Sequence, residues 1–229
     1  EPWGKKIELD HQYIICYTVE MDYFKVEESP KTGTTEETAL KYLHCQRISN
    51  SLAEFIRNMG YSARAHISGS NYQIILPPAA YDAGLGELGR LGYLISRKYG
   101  PRVRLGAVTT DLPLIPDKPV NFGVQDFCEK CNKCAKNCPS GSIPNGDKEN
   151  VRGVEKWRIN IESCFKYWQI IGTDCNLCMK VCPFSHPNTL PHKILRKAIE
   201  NSSIARTVSN WGDDIFYGTK FRVNGNNHG

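Results

Sequence analysis

Cys128-Glu-Lys-Cys131-Asn-Lys-Cys134-Ala-Lys-Asn-Cys138-Pro139 constrains this chain more than any other stretch. A second block follows: Cys164, then Cys175-Asn-Leu-Cys178-Met-Lys-Val-Cys182-Pro183. Eight of the ten cysteines lie in these two blocks, and eight thiolates are what two cubane 4Fe–4S clusters require. Two residues between cysteines permit a tight turn that aims successive sulfurs at one cube. Three residues before the last Cys form about one helical turn and carry that sulfur toward the neighbouring cube. Pro139 and Pro183 then turn the chain away. In doubled runs of this kind the fourth Cys serves the other cluster. The expected ligands are therefore Cys128, Cys131, Cys134 and Cys182 for the first cluster, and Cys175, Cys178, Cys164 and Cys138 for the second. Zinc would pair two C-x2-C units and leave the third Cys without a use. Disulfide frameworks suit short oxidised scaffolds, and this chain has 229 residues. The pattern implies electron transfer.

With 40% hydrophobic residues the chain has enough apolar side chain for a sizeable core. Cys16 and Cys45 lie outside the two blocks in apolar segments and are read as buried free thiols. The net charge of +5 is mild, and Lys and Arg are scattered, so no nucleic-acid partner is expected. No run of about 18 apolar residues is present. The opening Glu1-Pro2-Trp3 has no initiator Met and is read as an N-terminal truncation, so the lack of a visible signal does not fix the compartment.

Residues 12–19 read as a buried strand. Thr34 with Glu37 reads as a capping box opening a long helix. Its core-facing stripe would be Leu40, Leu43, Ile48, Leu52, Phe55, Ile56 and Met59, and Gly60 would close it. Short strands are expected at 61–67 and 71–76. A short helix, a Gly-rich bend and a further helix are expected within 77–98, then a strand at 102–110. A Pro-marked linker, Leu112-Pro113 to Pro119, separates this α/β part from the cluster part. The fold class is α+β, with domains at 1–120, 121–186 and a C-terminal tail at 187–229. Residues 139–156 read as a hydrophilic loop. The tail carries one amphipathic helix, Ile194–Ile199, before a Gly/Asn-rich end expected to be loose.

Gly84-Leu-Gly86-Glu-Leu-Gly89 fits G-x-G-x-x-G. A dinucleotide site needs that run to leave a strand directly and open a helix. Pro77-Pro78-Ala-Ala-Tyr-Asp82 intervenes here, so the run is read instead as a bend that lets backbone approach another bulky cofactor.

The order Ala83-Gly-Leu-Gly-Glu-Leu-Gly89-Arg90, Tyr99-Gly-Pro-Arg102-Val-Arg104-Leu, Thr110-Asp-Leu-Pro-Leu114, Asp117-Lys-Pro119, Phe122-Gly-Val, then the cysteine runs and Asp213-Asp214-Ile-Phe216-Tyr217-Gly218, resembles the corrinoid-dependent reductive dehalogenases over about residues 12–221. The resemblance implies a nitroreductase-like corrinoid-binding α/β domain, partial here, followed by a bacterial two-cluster ferredoxin-like domain. It implies the C-terminal half of such an enzyme, of the respiratory, anaerobic type, acting in organohalide respiration. Electrons would pass through two 4Fe–4S clusters to the corrinoid cobalt, halide would leave a small organohalide, and a Tyr would supply the proton. Implied partners are an electron donor of the respiratory chain and a small membrane anchor protein. If a twin-arginine signal precedes Glu1 the location would be the outer face of the cytoplasmic membrane, otherwise the cytoplasm. D-x-H-x-x-G, which supplies a cobalt ligand in many corrinoid proteins, is absent. His186 and His192 are read as structural.

For the proton donor the resemblance points to Tyr42, which shares a helix face with Thr38, with Arg102 as stabilising cation and Arg104 as its substitute. Tyr23 is the second candidate. Each Tyr also has a structural reading, a helix-surface residue for Tyr42 and a strand-end aromatic for Tyr23. Gly84, Gly86, Gly89 and Arg90 are assigned to the corrinoid, and Trp168 to the wall between cluster and corrinoid, with solvent exposure for Arg90 and cluster shielding for Trp168 left open. Epoxyqueuosine reductase is the nearest alternative, sharing the Thr-Asp-Leu-Pro-Leu run and both Cys motifs. Its acid is an Asp followed by Tyr-His, where this chain has Asp22-Tyr23-Phe24. A plain two-cluster electron carrier is the other alternative.

Overall fold

The computed structural model describes residues 10–66, 74–151 and 153–220. β1 (Tyr13–Glu20) and β5 (Val103–Thr110) are runs of β-branched and aromatic residues. They pair antiparallel along their whole lengths, Tyr13 opposite Thr110 and Glu20 opposite Val103. β2 (Ala63–His66) takes the other edge of β5, giving the order β1-β5-β2. Between β1 and β2 run α1 (Tyr23–Glu27) and α2 (Thr32–Asn58). α3 (Leu76–Asp82), with Pro in its first turn, precedes a hairpin of β3 (Gly86–Leu88) and β4 (Leu94–Ser96).

α2 packs its small and polar face on the sheet. Thr34, Glu37, Thr38, Cys45, Ser49, Ala53 and Ile56 are buried, whereas Leu40, Leu43, Ile48, Phe55 and Met59 of the expected stripe are exposed. Tyr17 explains the inversion. Its ring lies over Gly106, its partner across the ladder, and its hydroxyl donates to the Cys45 carbonyl at 2.5 Å and bonds Ser49 Oγ at 2.6 Å. A helix anchored through its backbone this close to a sheet has room only for small side chains. The capping box is not formed either. α2 starts two residues before Thr34, and Glu37 Oε1 accepts instead from the Asp22 amide at 2.5 Å. Gly60, at φ +92, does close the helix. Burial raises the Cys16 and Cys45 thiols to about 11 each.

The cluster segment contains α4 (Val124–Cys131), α5 (Lys133–Lys136), a small hairpin of β6 (Glu149–Val151) and β7 (Val154–Lys156), α6 (Ile161–Ile171) and α7 (Leu177–Lys180). That hairpin lies inside the stretch read as a loop. The tail forms two helices, α8 (Leu190–Asn201) and α9 (Ser203–Tyr217), and α9 lies against α4 through Arg206 and Asp126 at 2.9 Å. One hydrophobic core joins Leu91 and Ile95 to Phe122, Phe127, Cys128, Trp157, Phe184 and Ile199. It therefore crosses the divides expected at 120 and 186. Half of the strand expected at 71–76 lies outside the described residues; Ile74 and Ile75 form no strand, and Leu76 already belongs to α3. Among the described residues no helix is long and apolar enough to cross a membrane.

Candidate functional site

Cys128, Cys131, Cys134 and Cys182 line one small cavity together with Arg90, Phe127 and Phe184. Cys138, Cys164, Cys175 and Cys178 form a second group. The Cys178 thiol is held up by burial first and then by Cys175, Cys138 and Cys164. Burial likewise pushes Cys128 to about 12 and Cys131 to about 11. Cys138 differs. Burial raises it, but hydrogen bonds from Ser140 and from the backbone of Ile143 and Ser142 outweigh that and leave it lowered. Converging thiols this deeply buried can ionise together only around a strongly cationic occupant. Among the described residues no three His, Cys, Asp or Glu side chains stand close enough to hold a single metal ion. Four converging thiols in each group are the donor set that a cubane iron–sulfur cluster takes.

Local backbone positions the sulfurs. Asn132 and Asn176 each follow a Cys, sit in the left-handed region at φ 53 and 48, and start the short helices α5 and α7 that carry Cys134 and Cys178. Arg90 is buried. Its Nε donates to the Cys128 carbonyl at 3.0 Å, and its guanidinium donates to the Pro144 and Gly146 carbonyls. Glu87 Oε1 accepts the Phe122 and Val124 amides at the start of α4. The glycine run therefore braces the first Cys helix. It does not open a helix of its own, which removes the dinucleotide reading. A Cβ on Gly84 would stand 2.7 Å from the Lys118 carbonyl oxygen, one on Gly86 would overlap the Ile95 carbonyl, and one on Gly89 would stand 2.5 Å from Ile95 Cδ1. These glycines admit close approach of protein to protein, and neither they nor Arg90 lines the large cavity between α2 and β5.

A separate cavity of about 750 Å³ opens between α2 and β5. Thr38, Tyr42, Arg104 and Trp168 all line it. The Arg104 guanidinium carbon lies 5.4 Å from the Tyr42 ring centroid, and Nη2 donates to Thr38 Oγ1 at 2.8 Å. Arg104 Nε is buried with no partner among the described residues. Arg102, expected as the cation, is elsewhere. It is buried, donating to the Ser185 and Met21 carbonyls at 2.6 Å each. Arg102 precedes the strand proper and turns toward the cluster segment, so spacing alone did not separate it from Arg104. The Arg102 guanidinium carbon lies 5.6 Å from the Tyr23 ring centroid, and Tyr23 lines another cavity with His186, Asp213 and Tyr217. Burial and then Glu27 raise its phenol, which makes it a weaker acid. Sequence reasoning missed Tyr93, Thr35 and Asp174 on the wall of the large cavity. Tyr93, in the turn of the glycine hairpin, has its phenol pushed far up by burial and then by Cys178. It connects the second thiol group to the cavity.

Residues 127–186 match the 4Fe–4S dicluster domain. The chain is 34% identical to a tetrachloroethene reductive dehalogenase of Sulfurospirillum multivorans over 95% of its own length and 46% of that protein. A solved catabolic reductive dehalogenase, NpRdhA, superposes with a TM-score of 0.89 at 34% identity, covering 95% of this chain and 32% of that one. The chain is a homologue of the reductive dehalogenases. It spans less than half the length of the curated relative. Epoxyqueuosine reductase is related too, with 32% identity to the Listeria monocytogenes enzyme over 45% of this chain and 27% of that enzyme. The solved Streptococcus thermophilus enzyme shares the fold alone, at 20% identity and a TM-score of 0.52, over 86% of this chain and 62% of that one.

Proposed function

We propose that this chain is the cluster-bearing part of an enzyme that reductively dehalogenates a small organohalide. The observation that carries the reading is the Thr38–Arg104–Tyr42 arrangement on the wall of a large cavity that Tyr93 joins to the second four-thiol group. Two 4Fe–4S clusters fit the eight thiols. The large cavity is the proposed place for a corrinoid, because Trp168 lines it and Arg104 Nε is a buried donor with no acceptor among the described residues. The corrinoid, when bound, supplies the low-valent metal that takes up electrons and breaks the carbon–halogen bond. Tyr42 holds the proton that replaces the halogen. Arg104 faces the charge left on the Tyr42 oxygen, and Thr38 fixes Arg104. Tyr93 excludes water between the second thiol group and the cavity. A solved relative was crystallised with 3-bromo-4-hydroxybenzoic acid, and a halogenated arene or alkene is the substrate class proposed here. The electron donor is proposed to be a respiratory one, with the enzyme on the outer face of the cytoplasmic membrane.

The tRNA-modifying alternative would use an Asp as acid. Asp22, at the position of that acid, caps α1 by accepting the Lys25 amide at 3.0 Å and does not line the large cavity; Asp174, which does, lies outside the Asp-Tyr-His motif. In the full-length protein, Tyr42→Phe should lower dehalogenation by about 10²-fold or more while iron and sulfide stay at about eight each per chain. Full turnover in that variant would remove Tyr42 from the mechanism. Four iron per chain in the wild type would remove one cluster.

A further inference from the structure

Lys133 lies between Cys131 and Cys134 and is only 3% exposed. Its ammonium is paired with Asp213 and, at 3.2 Å, with Asp214, both from α9 some 80 residues further along the chain. Asp213 is itself buried and bonds His186 Nε2 at 2.5 Å. The His186 ring stacks on Tyr217 with centroids 3.8 Å apart, and the Tyr217 hydroxyl meets His192 at 3.0 Å. A lysine beside the first thiol group is thus answered by two carboxylates held by the last helix. None of these residues reaches the large cavity or the proton path described above.

A cluster held by four thiolates is anionic and gains one more negative charge on reduction. A fixed cation beside it favours the reduced state, and a fixed anion opposes it. Burial keeps either effect from being screened by water and salt, and net charge near a cluster is one of the levers that set its potential. We propose that Asp213 and Asp214 are positioning residues that hold down the reduction potential of the first cluster by neutralising Lys133. The proposal rests on the eight cysteines being cluster ligands. It gives the Asp-Asp-x-Phe-Tyr-Gly ending a physical task, because α9 delivers the charge that a local Cys run cannot supply.

The test is an EPR-monitored redox titration of the full-length holoenzyme and its variants, with iron and sulfide counted for each. Asp213→Asn and Asp214→Asn should each favour reduction of one cluster by roughly tenfold, which is about 59 mV for a one-electron couple. Lys133→Met should shift the same cluster the opposite way. The second cluster should keep its midpoint throughout. Asp214 is partly exposed, so its Asn variant retains assembly even where the buried pair does not tolerate change. An unmoved midpoint in Asp214→Asn with full iron content overturns the proposal, as does an equal shift of both clusters or a shift of one sign in all three variants. A wild-type protein that binds no iron–sulfur cluster overturns instead the ligand reading beneath it.

Discussion

Asn132 and Asn176 carry a backbone cost for the sake of sulfur geometry. An L-residue in the left-handed region loses roughly 1–2 kcal/mol to the clash of its Cβ with the following carbonyl, and Asn loses least among non-glycine residues. Both asparagines sit where the chain must reverse between two thiols of one set. Replacing Asn132 with Ala should therefore lower the unfolding free energy of the holoprotein by about 1 kcal/mol, and replacing it with Gly should cost little. Urea unfolding followed by circular dichroism distinguishes the two. Equal losses in Ala and Gly would assign the role to the side-chain amide. Position 176 is the less clean test, because its amide also meets Thr34 Oγ1 at 3.3 Å. The spacing of the cysteines was legible in the sequence because cluster ligation is set by local turns. The choice between Arg104 and Arg102 was not, because tertiary partners decide it: the Ser185 and Met21 carbonyls claim Arg102, and Thr38 with Tyr42 claims Arg104.

Among the elements, β2 holds the edge of the sheet through a buried histidine. His66 Nε2 bonds Thr109 Oγ1 at 2.9 Å, and its Nδ1 is buried with no partner among the described residues. Burial, helped by Arg64 and His11, lowers His66 to about 4. The unfolded chain, with an ordinary value near 6.5, takes up the proton first. Stability from the neutral ring is therefore fully present above about pH 6.5 and is lost as the pH falls toward 4. Between pH 7.5 and 5.5 the wild type should lose on the order of 1 kcal/mol more than His66→Gln does. Cluster lability is common to both proteins and cancels in the comparison, so parallel pH profiles would refute the assignment. Periodicity located β1, α2 and β5 correctly yet chose the wrong face of α2. The apolar count favoured Leu40, Leu43 and Phe55, but the ring of Tyr17 and the absence of a side chain at Gly106 fixed which face could come near. Such complementarity between a helix and a sheet far away in sequence is invisible to a window of residues. The same limit turned an expected helix after Gly89 into a strand, because Gly86 and Gly89 are needed for close packing on Ile95.

On the scale of the molecule, large apolar side chains stand exposed on several helices, α2 and α9 among them. On α2 Leu43 is 54% and Phe55 60% exposed, and on α9 Val208 is 58% and Trp211 68% exposed. Ile204, Val208, Trp211 and Ile215 recur at helical spacing along the outer side of α9, so their exposure forms a stripe and not isolated points. Contiguous apolar surface of this kind drives association in water. The fold-defining contacts, by contrast, are internal to this chain: the Tyr17 anchor, the Glu87 and Arg90 braces and the Asp126–Arg206 link all close within it. Produced as these 229 residues with clusters reconstituted, the chain should hold its fold and yet self-associate. Sedimentation should show species heavier than the 25.9 kDa monomer, with binding of a hydrophobic dye. Leu43→Lys with Phe55→Lys should weaken association from the α2 face, and Val208→Lys with Trp211→Lys from the α9 face, each leaving iron content unchanged. Since α2 also carries Thr38 and Tyr42 on its buried side, the first pair of changes reports whether its outer face can be altered without disturbing the cavity. A monomeric, dye-free wild type would show that the apolar stripes exert no attraction in solution.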